Sequence, residues 1–280
     1  MDRSPETYNL SPEDLRQLQS IELELLIEFD RICRKHHITY SIDGGTLLGA
    51  VRHGGFIPWD DDADVILNRS EYQKFLSVVD QELDTDKFYL HDINRTPGYR
   101  WGYAKMRRLN TEFIRLNQEY MPYEQGIFLD IFVCDNVPDN YIARCICNYH
   151  SFIYRKIFYS EVGKHTANGI SKLVYKVLNL IPEKTLKKNY AQYVKFRNRK
   201  NTEMVKCLTF PSCNRVYGYK RSWYEDTIDM KFENVTFRAC RNYDEYLKFL
   251  YGDYSELPPI EKRKIHPVSK LTFPKDNETQ

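Results

Sequence analysis

The sequence predicts an α+β fold: a mixed sheet with flanking helices, followed by a largely helical C-terminal region. Three features carry that expectation. Short apolar runs alternate with helix-period segments up to Pro138, residues 139–200 are helical in pattern, and a strand and a helix return near the end. At 280 residues and 42% hydrophobic content the chain can bury a substantial core, and the change of pattern divides it into a core of residues 1–138 and a region of residues 139–280.

Ser11-Pro12 opens the first helix, because serine accepts from the free N–H groups of a first turn and proline suits its first position. Leu15, Leu18, Leu25, Phe29 and Ile32 recur at helical spacing to about Lys35. Residues 38–42 alternate apolar with polar and read as a strand running into Gly44-Gly45. Thr46 is placed to cap a short helix over 47–53, which Gly54-Gly55 ends. A strand is expected over 63–67, then a helix capped by Ser70 with Tyr72, Phe75, Leu76 and Val79 on one face. Strands follow near 88–93, 101–109 and 127–133, the last apolar on both faces and therefore central. After the helical region come a strand near 235–239 and a helix near 244–251, closed by Gly252.

Composition excludes several classes. With 41 Lys and Arg against 39 Asp and Glu, the net charge of +2 is too low for a dedicated nucleic-acid binder, and no nucleic-acid partner is expected. No run reaches the ~18 apolar residues of a membrane span, and the polar first ten residues lack a signal-like core. The expected location is cytoplasmic. Seven cysteines, an odd number with no Cys-x-x-Cys pair, read as reduced thiols rather than a zinc site. Charge is uneven, however. Residues 139–200 hold 13 Lys and Arg against 3 Asp and Glu, a net of +10 that leaves −8 for the rest. Within that stretch Ile170, Leu173, Val174, Val177, Leu178 and Ile181 share a helical face, with Lys172 and Lys176 outside it. Such a helix packs its apolar face on the enzyme's own core, or it rests on anionic lipid as a peripheral membrane contact.

The block from Asp43 to Asp64 concentrates the chemistry. Gly44, Gly45 and Thr46 lie where a strand turns into a helix; glycines admit close backbone approach, and the helix N-terminus offers N–H groups to phosphate. A plain tight turn uses the same residues. In Asp60-Asp61-Asp62-Ala63-Asp64, Asp62 and Asp64 project from one face of a strand. Their mutual repulsion is relieved by protonation or by a hard cation, Mg²⁺ or Mn²⁺. A solvated acidic loop is the alternative. Asp130 stands inside the apolar run 127–133, where an ionised carboxylate is costly unless it is paired or bound to metal. Two carboxylates on one strand, a third on another and a Gly-Gly turn before them point to metal-assisted phosphoryl or nucleotidyl transfer.

These residues resemble the signature of the LicD family, phosphotransferases similar to fukutin-related proteins on a nucleotidyltransferase-type fold. The likeness continues through Trp101-x-x-x-Lys105-x-Arg107, Gly126-x-x-x-Asp130, Phe232-Glu-Asn and Tyr251-Gly-Asp-Tyr-x-x-Leu-Pro-Pro, and so covers residues 15–270. It implies that Gly44 and Gly45 lie on the phosphate side and that Asp62, Asp64 and Asp130 are the metal and catalytic carboxylates. Ala63 departs from the Ile or Val usual there, on the face away from the aspartates. The implied activity is transfer of a phospho-alcohol from a CDP-alcohol donor, CDP-choline in the best-known case. The acceptor is a hydroxyl of a glycan or lipid-linked glycan, and CMP is released. Asp130 would share the metal or accept the hydroxyl proton. Arg52, Lys105 and Arg107 are candidates to neutralise phosphate, with ordinary surface charge as the alternative; His53 and His266 are candidate polar contacts. The competing readings are nucleotide addition to RNA or a small molecule, with release of pyrophosphate, and nucleotide binding without turnover.

Overall fold

Ser11 caps the first helix, α1 (Pro12–Lys35), as its sequence requires: its hydroxyl accepts from the Asp14 N–H at 3.0 Å, and the Asp14 carboxylate accepts from the Ser11 N–H at 3.0 Å. The computed structural model describes residues 7–212, 214–263 and 265–274; the readings that concern residues 1–6 and Cys213 lie outside them. After α1 come β1 (Ser41–Ile42), α2 (Gly44–His53), β2 (Ala63–Asn68), α3 (Arg69–Glu82), β3 (Phe88–His91), β4 (Ala104–Arg108), β5 (Glu112–Arg115) and β6 (Phe128–Val137). The helices α4 (Tyr141–Thr166), α5 (Gly169–Leu178) and α6 (Glu183–Arg197) follow. Then come β7 (Met204–Lys206), β8 (Tyr219–Lys220), the short α7 (Ser222–Glu225), β9 (Thr227–Phe232), β10 (Val235–Cys240), α8 (Tyr243–Tyr251) and β11 (Val268–Thr272).

The fold class is α+β. The main sheet runs β3-β4-β6-β2-β1-β10-β9, and β7 and β8 extend it from β6. It is mixed, since β2 and β6 are parallel, as are β1 and β10, while the other neighbours are antiparallel. The separate pair β11-β5 lies beside it. Residues 139–280 therefore supply four strands to the sheet that begins in residues 1–138. β6 is buried along its whole length, with β4 and β2 on its two sides.

Packing explains where the sequence reading shifts. The strand expected over 38–42 shrinks to two residues because the Thr39 N–H is taken by the Glu71 carboxylate, at 2.9 Å, instead of by a neighbouring strand. Thr46 does not cap α2. Asp43 holds the N-cap position with extended backbone, and buried Thr46 instead accepts the Asp64 N–H at 2.9 Å, tying α2 to the start of β2. Likewise α3 begins at Arg69 after Asn68, with Ser70 inside its first turn. Its face of Tyr72, Phe75 and Val79 is buried, and Phe75 meets Phe29 of α1 at 5.1 Å. Six described cysteines are free.

The basic region departs from one of its two readings. α5 has no fully buried residue: Ile170, Leu173, Val174 and Val177 are exposed, and its C-terminal end, with half-buried Leu178, meets the smaller core of Phe158, Leu186 and Tyr190 through Ile181 just beyond it. It is held to α4 through Tyr175, whose ring stands where a Cβ on Gly163 would come within 2.4 Å, so only glycine admits the contact. Among the described residues no helix is long and apolar enough to cross a membrane.

Candidate active site

The register of four adjacent strands builds the site. Asp64 on β2 is the direct partner of Asp130 on β6, Asp130 that of Lys105 on β4, and Lys105 that of His91 on β3. Directly opposed residues project from one face of a sheet, so these four form a polar row across it. Asp62 lies one residue before β2, and with Asp43, Gly44, Gly45, Asp64 and Asp130 it lines a cavity of about 310 Å³. Ile66 and Phe132, two residues further along their strands, continue its floor. Neither α1 nor α3 lines this cavity; the helices that pack β2 and β6 from behind leave this face to the site.

The two glycines answer to carboxylates. A Cβ on Gly45 would come within 2.5 Å of Asp60 Oδ2, and one on Gly44 within 3.1 Å of Asp64 Oδ2, while Gly44 also has a φ of +53°. The Gly-Gly turn is therefore the space in which the acidic loop sits. Gln19 of α1 secures that loop from behind, donating to the Ile57 and Asp60 carbonyls at 3.3 and 2.9 Å. Asp61 is buried and spent on His266: it accepts from the His266 N–H at 2.7 Å and meets the ring Nδ1 at 3.1 Å. Among the described residues, Asp61, Asp62 and His266 are the group whose ligand atoms converge within 4.8 Å.

Electrostatically the site disfavours the ionised form of most of its carboxyls. Burial and then repulsion from Asp62 and Asp130 push the Asp64 carboxyl well above its ordinary value, and its buried Oδ1 has no hydrogen-bond partner. Burial raises Asp62 as well, against the pull of His266. Asp60 is pushed up to about 8 by burial and by Asp62 and Asp61, and burial takes Asp43 to about 6. Glu22 of α1, 1% exposed with an unpartnered Oε2, faces the same loop and is raised well above the usual range by burial and by Asp62. A divalent cation fits this set: buried carboxylate oxygens without donors are what hard cations take up. Asp62, Asp64 and Asp130, the carboxylates expected from the sequence to hold it, all line the cavity, while among the described residues the ligand atoms that already converge are those of Asp61, Asp62 and His266.

The positive candidates separate. Lys105, 5% exposed, pairs with Asp130, and burial brings its ammonium down to about 7. Lys105 and Arg107 line a second cavity of about 370 Å³ that adjoins the first through Tyr103, Arg115 and Phe210. Arg107 donates there to the Gly126 carbonyl at 2.6 Å and to His91 Nδ1 at 3.2 Å. No acidic side chain lines this second cavity, whereas Arg100, Arg115 and Arg155 do. Arg52 lines neither. It donates to the Tyr254 and Glu256 carbonyls at 3.1 and 3.3 Å, joining α2 to the C-terminal segment, and exposed His53 lies beside it.

Several site residues carry no local signal in the sequence. Asp43 accepts from Tyr246 of α8, which in turn accepts from Tyr224 at 3.2 Å, so the C-terminal region fixes a carboxylate of the first block. Tyr103, Phe132 and Phe210 form a ring cluster at 5.0, 4.8 and 6.1 Å on the cavity wall. Arg115, with a buried unpartnered Nε, stands between the cavities. Long-range pairing alone brings these together; a tyrosine count of 22 could not select among them.

Comparison with known proteins agrees with this geometry. A family model described as LicD/FKTN/FKRP, nucleotidyltransferase domain, matches residues 37–171, the span that holds Gly44, Asp62, Asp64, Lys105 and Asp130. The lipopolysaccharide cholinephosphotransferase LicD of Haemophilus influenzae is 32% identical over 265 residues, 91% of this chain and 97% of its own. An uncharacterized protein of Rickettsia prowazekii is 25% identical over 118 residues, 42% of this chain and 40% of its own. Since the similarity to the Haemophilus protein runs through nearly all of both chains, and the family model spans the four strands of the polar row, the chain belongs to the LicD family of phosphotransferases.

Proposed function

We propose that this phosphotransferase moves phosphocholine, or a related phospho-alcohol, from a CDP-activated donor to a hydroxyl of a cell-surface glycan or its lipid-linked precursor, with release of CMP. The observation that carries the reading is the in-register pair Asp64 and Asp130 beside Asp62, opening on one cavity, with the buried Asp64 Oδ1 left without a donor. Bound Mg²⁺ or Mn²⁺ would supply positive charge to the diphosphate oxygens. The Haemophilus relative, named for phosphocholine transfer to lipopolysaccharide, supports both the transferred group and the acceptor class.

The chain's own residues have separate roles in this proposal. Tyr103, Phe132 and Phe210 offer ring faces to a quaternary ammonium, which needs π-electron density more than a counter-charge. The donor lies in the carboxylate cavity. The arginine-lined cavity beyond Lys105 suits an acceptor glycan that carries phosphate or carboxylate, with sugar faces on its aromatic walls. A hydroxyl arriving from that side meets Lys105, which lines that cavity, and in this proposal the Asp130 carboxylate paired with Lys105 takes its proton. The acceptor oxygen then bonds to the phosphorus that carries choline, the bond from that phosphorus to the CMP oxygen breaks, and CMP leaves. The enzyme would work from the cytoplasmic face of a membrane.

The test is a donor screen on purified protein: CDP-choline, CDP-ribitol and CDP-glycerol against CTP and ATP, with and without Mg²⁺. CMP formation from a CDP-alcohol is expected. Pyrophosphate from CTP or ATP would instead support nucleotidyl transfer, and no turnover of any donor would leave a binding protein. In the Asp130→Asn variant donor affinity is expected to persist while transfer drops by about 10²-fold or more, as for loss of a general base.

A further inference from the structure

We propose that α5 is a surface anchor that seats this protein on an anionic lipid bilayer. The geometry of α5 is that of a helix built to be covered. Ile170, Leu173, Val174 and Val177 lie on one face and are 83%, 63%, 49% and 57% exposed; Leu180, just beyond the helix, is 79% exposed. A soluble surface helix turns such a face inward. Here Tyr175 points inward instead: it packs on Gly163 of α4, meets the Tyr159 ring at 5.7 Å and accepts from Lys156 at 3.0 Å. Tyr175 and the C-terminal end of the helix, where Asn179 accepts from Arg100 and Ile181 packs on the smaller core, hold it to the protein, and the face of Ile170, Leu173, Val174 and Val177 is left pointing away.

Charge selects the occupant. The patch lies in the +10 segment 139–200 of a chain whose remainder is −8. Lys172 and Lys176 of α5, and Lys184 and Lys188 in the first turns of the following α6, form no ion pair among the described residues, and the last three are exposed. Lysine is depleted from protein–protein contacts, and two copies meeting here would bring like charges together. An apolar face flanked by free lysines is what binds the interface of an anionic membrane, apolar side chains entering the acyl boundary while ammonium groups stay among the headgroups. The placement also suits the site: Tyr159, against which Tyr175 packs, lines the arginine-bearing cavity, so a bilayer under α5 lies one helix away from where a lipid-linked acceptor would enter. That last point rests on the proposed function; the anchor does not.

The experiment is co-sedimentation of the full chain with vesicles of phosphatidylglycerol and phosphatidylethanolamine, and with phosphatidylcholine alone, at low and at high salt. Recovery is expected on the anionic vesicles, falling as salt shortens the screening length, with little on the neutral ones. Leu173→Glu/Val177→Glu should lower the partition coefficient at least ~10-fold while leaving the melting temperature unchanged, because neither side chain touches the core. Lys176→Glu/Lys184→Glu should weaken anionic binding and its salt dependence together. Equal recovery on both lipids, none on either, or wild-type recovery of the Leu173/Val177 variant would overturn the proposal. So would a solution dimer that the same variant dissociates, which would assign the face to a second copy. Donor turnover by a protein that ignores vesicles would separate this failure from failure of the site.

Discussion

The Lys105 ammonium rests on the Asp130 carboxylate across the β4–β6 register and lies 3.3 Å from the centroid of the Phe128 ring. Both partners are about 95% buried, so each is the other's main compensation for lost solvent. Lys105→Met should therefore cost about 3–5 kcal/mol in urea unfolding, the usual result of stranding a buried charge, and should abolish transfer. Adding Asp130→Leu should recover most of the stability and none of the activity. If the single variant is as stable as the wild type, the pair is not what holds this part of the sheet.

Asp64 leads to a second prediction, about cation binding without catalysis. Its carboxyl is raised by burial and by Asp62 and Asp130, so the cation-free site opposes folding. The melting temperature of the wild type should rise on addition of Mg²⁺, by an amount corresponding to about 2.7 kcal/mol at one hundred times the dissociation constant. Asp64→Asn should show no such rise, and without Mg²⁺ it should be at least as stable as the wild type. A Mg²⁺ response that survives in Asp64→Asn would move the cation to the Asp61, Asp62 and His266 group.

The glycines of the first block should differ sharply in their tolerance of alanine. Gly45→Ala drives a methyl into the Asp60 carboxylate and should cost about 1–3 kcal/mol, as overpacking does, with loss of transfer as the acidic loop shifts. Gly54→Ala meets open space and has only its φ of +71° to accommodate, a strain of about 1 kcal/mol with activity kept. Thermal unfolding and turnover of the two variants, measured side by side, check the contrast.

His91 gives the pH dependence a direction. Burial, then Arg107 and Lys105, lower its pKa from 6.5 to about 3, so the native imidazole stays neutral while the unfolded one takes up a proton. Between those two values the unfolded state holds more protons at His91, and the His91 contribution to stability falls as pH falls, opposite in sign to that of the raised carboxyls. The loss attributable to His91 is about 2 kcal/mol between neutrality and pH 5, since each unit of pKa difference is worth about 1.36 kcal/mol. His91→Gln should remove that contribution from the stability profile; a profile identical to the wild type would show that His91 is not kept neutral by the fold.

What the sequence determined by itself is local. The Ser11 cap, the apolar period of α1, the continuous apolar run of β6 and the Gly252 stop of α8 each follow from residues within a few positions of one another, and each stands where it was expected. Asp62, Asp64 and Asp130 were legible for the same reason, since carboxylates set against apolar strand residues are conspicuous wherever the strands go. Only the tertiary structure decided their partners. Asp130 could have faced solvent, metal or lysine; the β4–β6 register chose Lys105. The strands β5, β9 and β11 have weak patterns of their own and exist because β11, β10 and β5 pair with them. Thr46 carries a capping side chain, yet the Asp64 N–H at 2.9 Å claims it. α5 shows the limit most clearly. Its period proved a helix, but whether that apolar face found a core depended on the surface it met: α4 receives Tyr175 at Gly163, Ile181 reaches the smaller core, and Ile170, Leu173, Val174 and Val177 stay exposed. Periodicity records which residues share a face; the energy of burying that face belongs to the surface it meets.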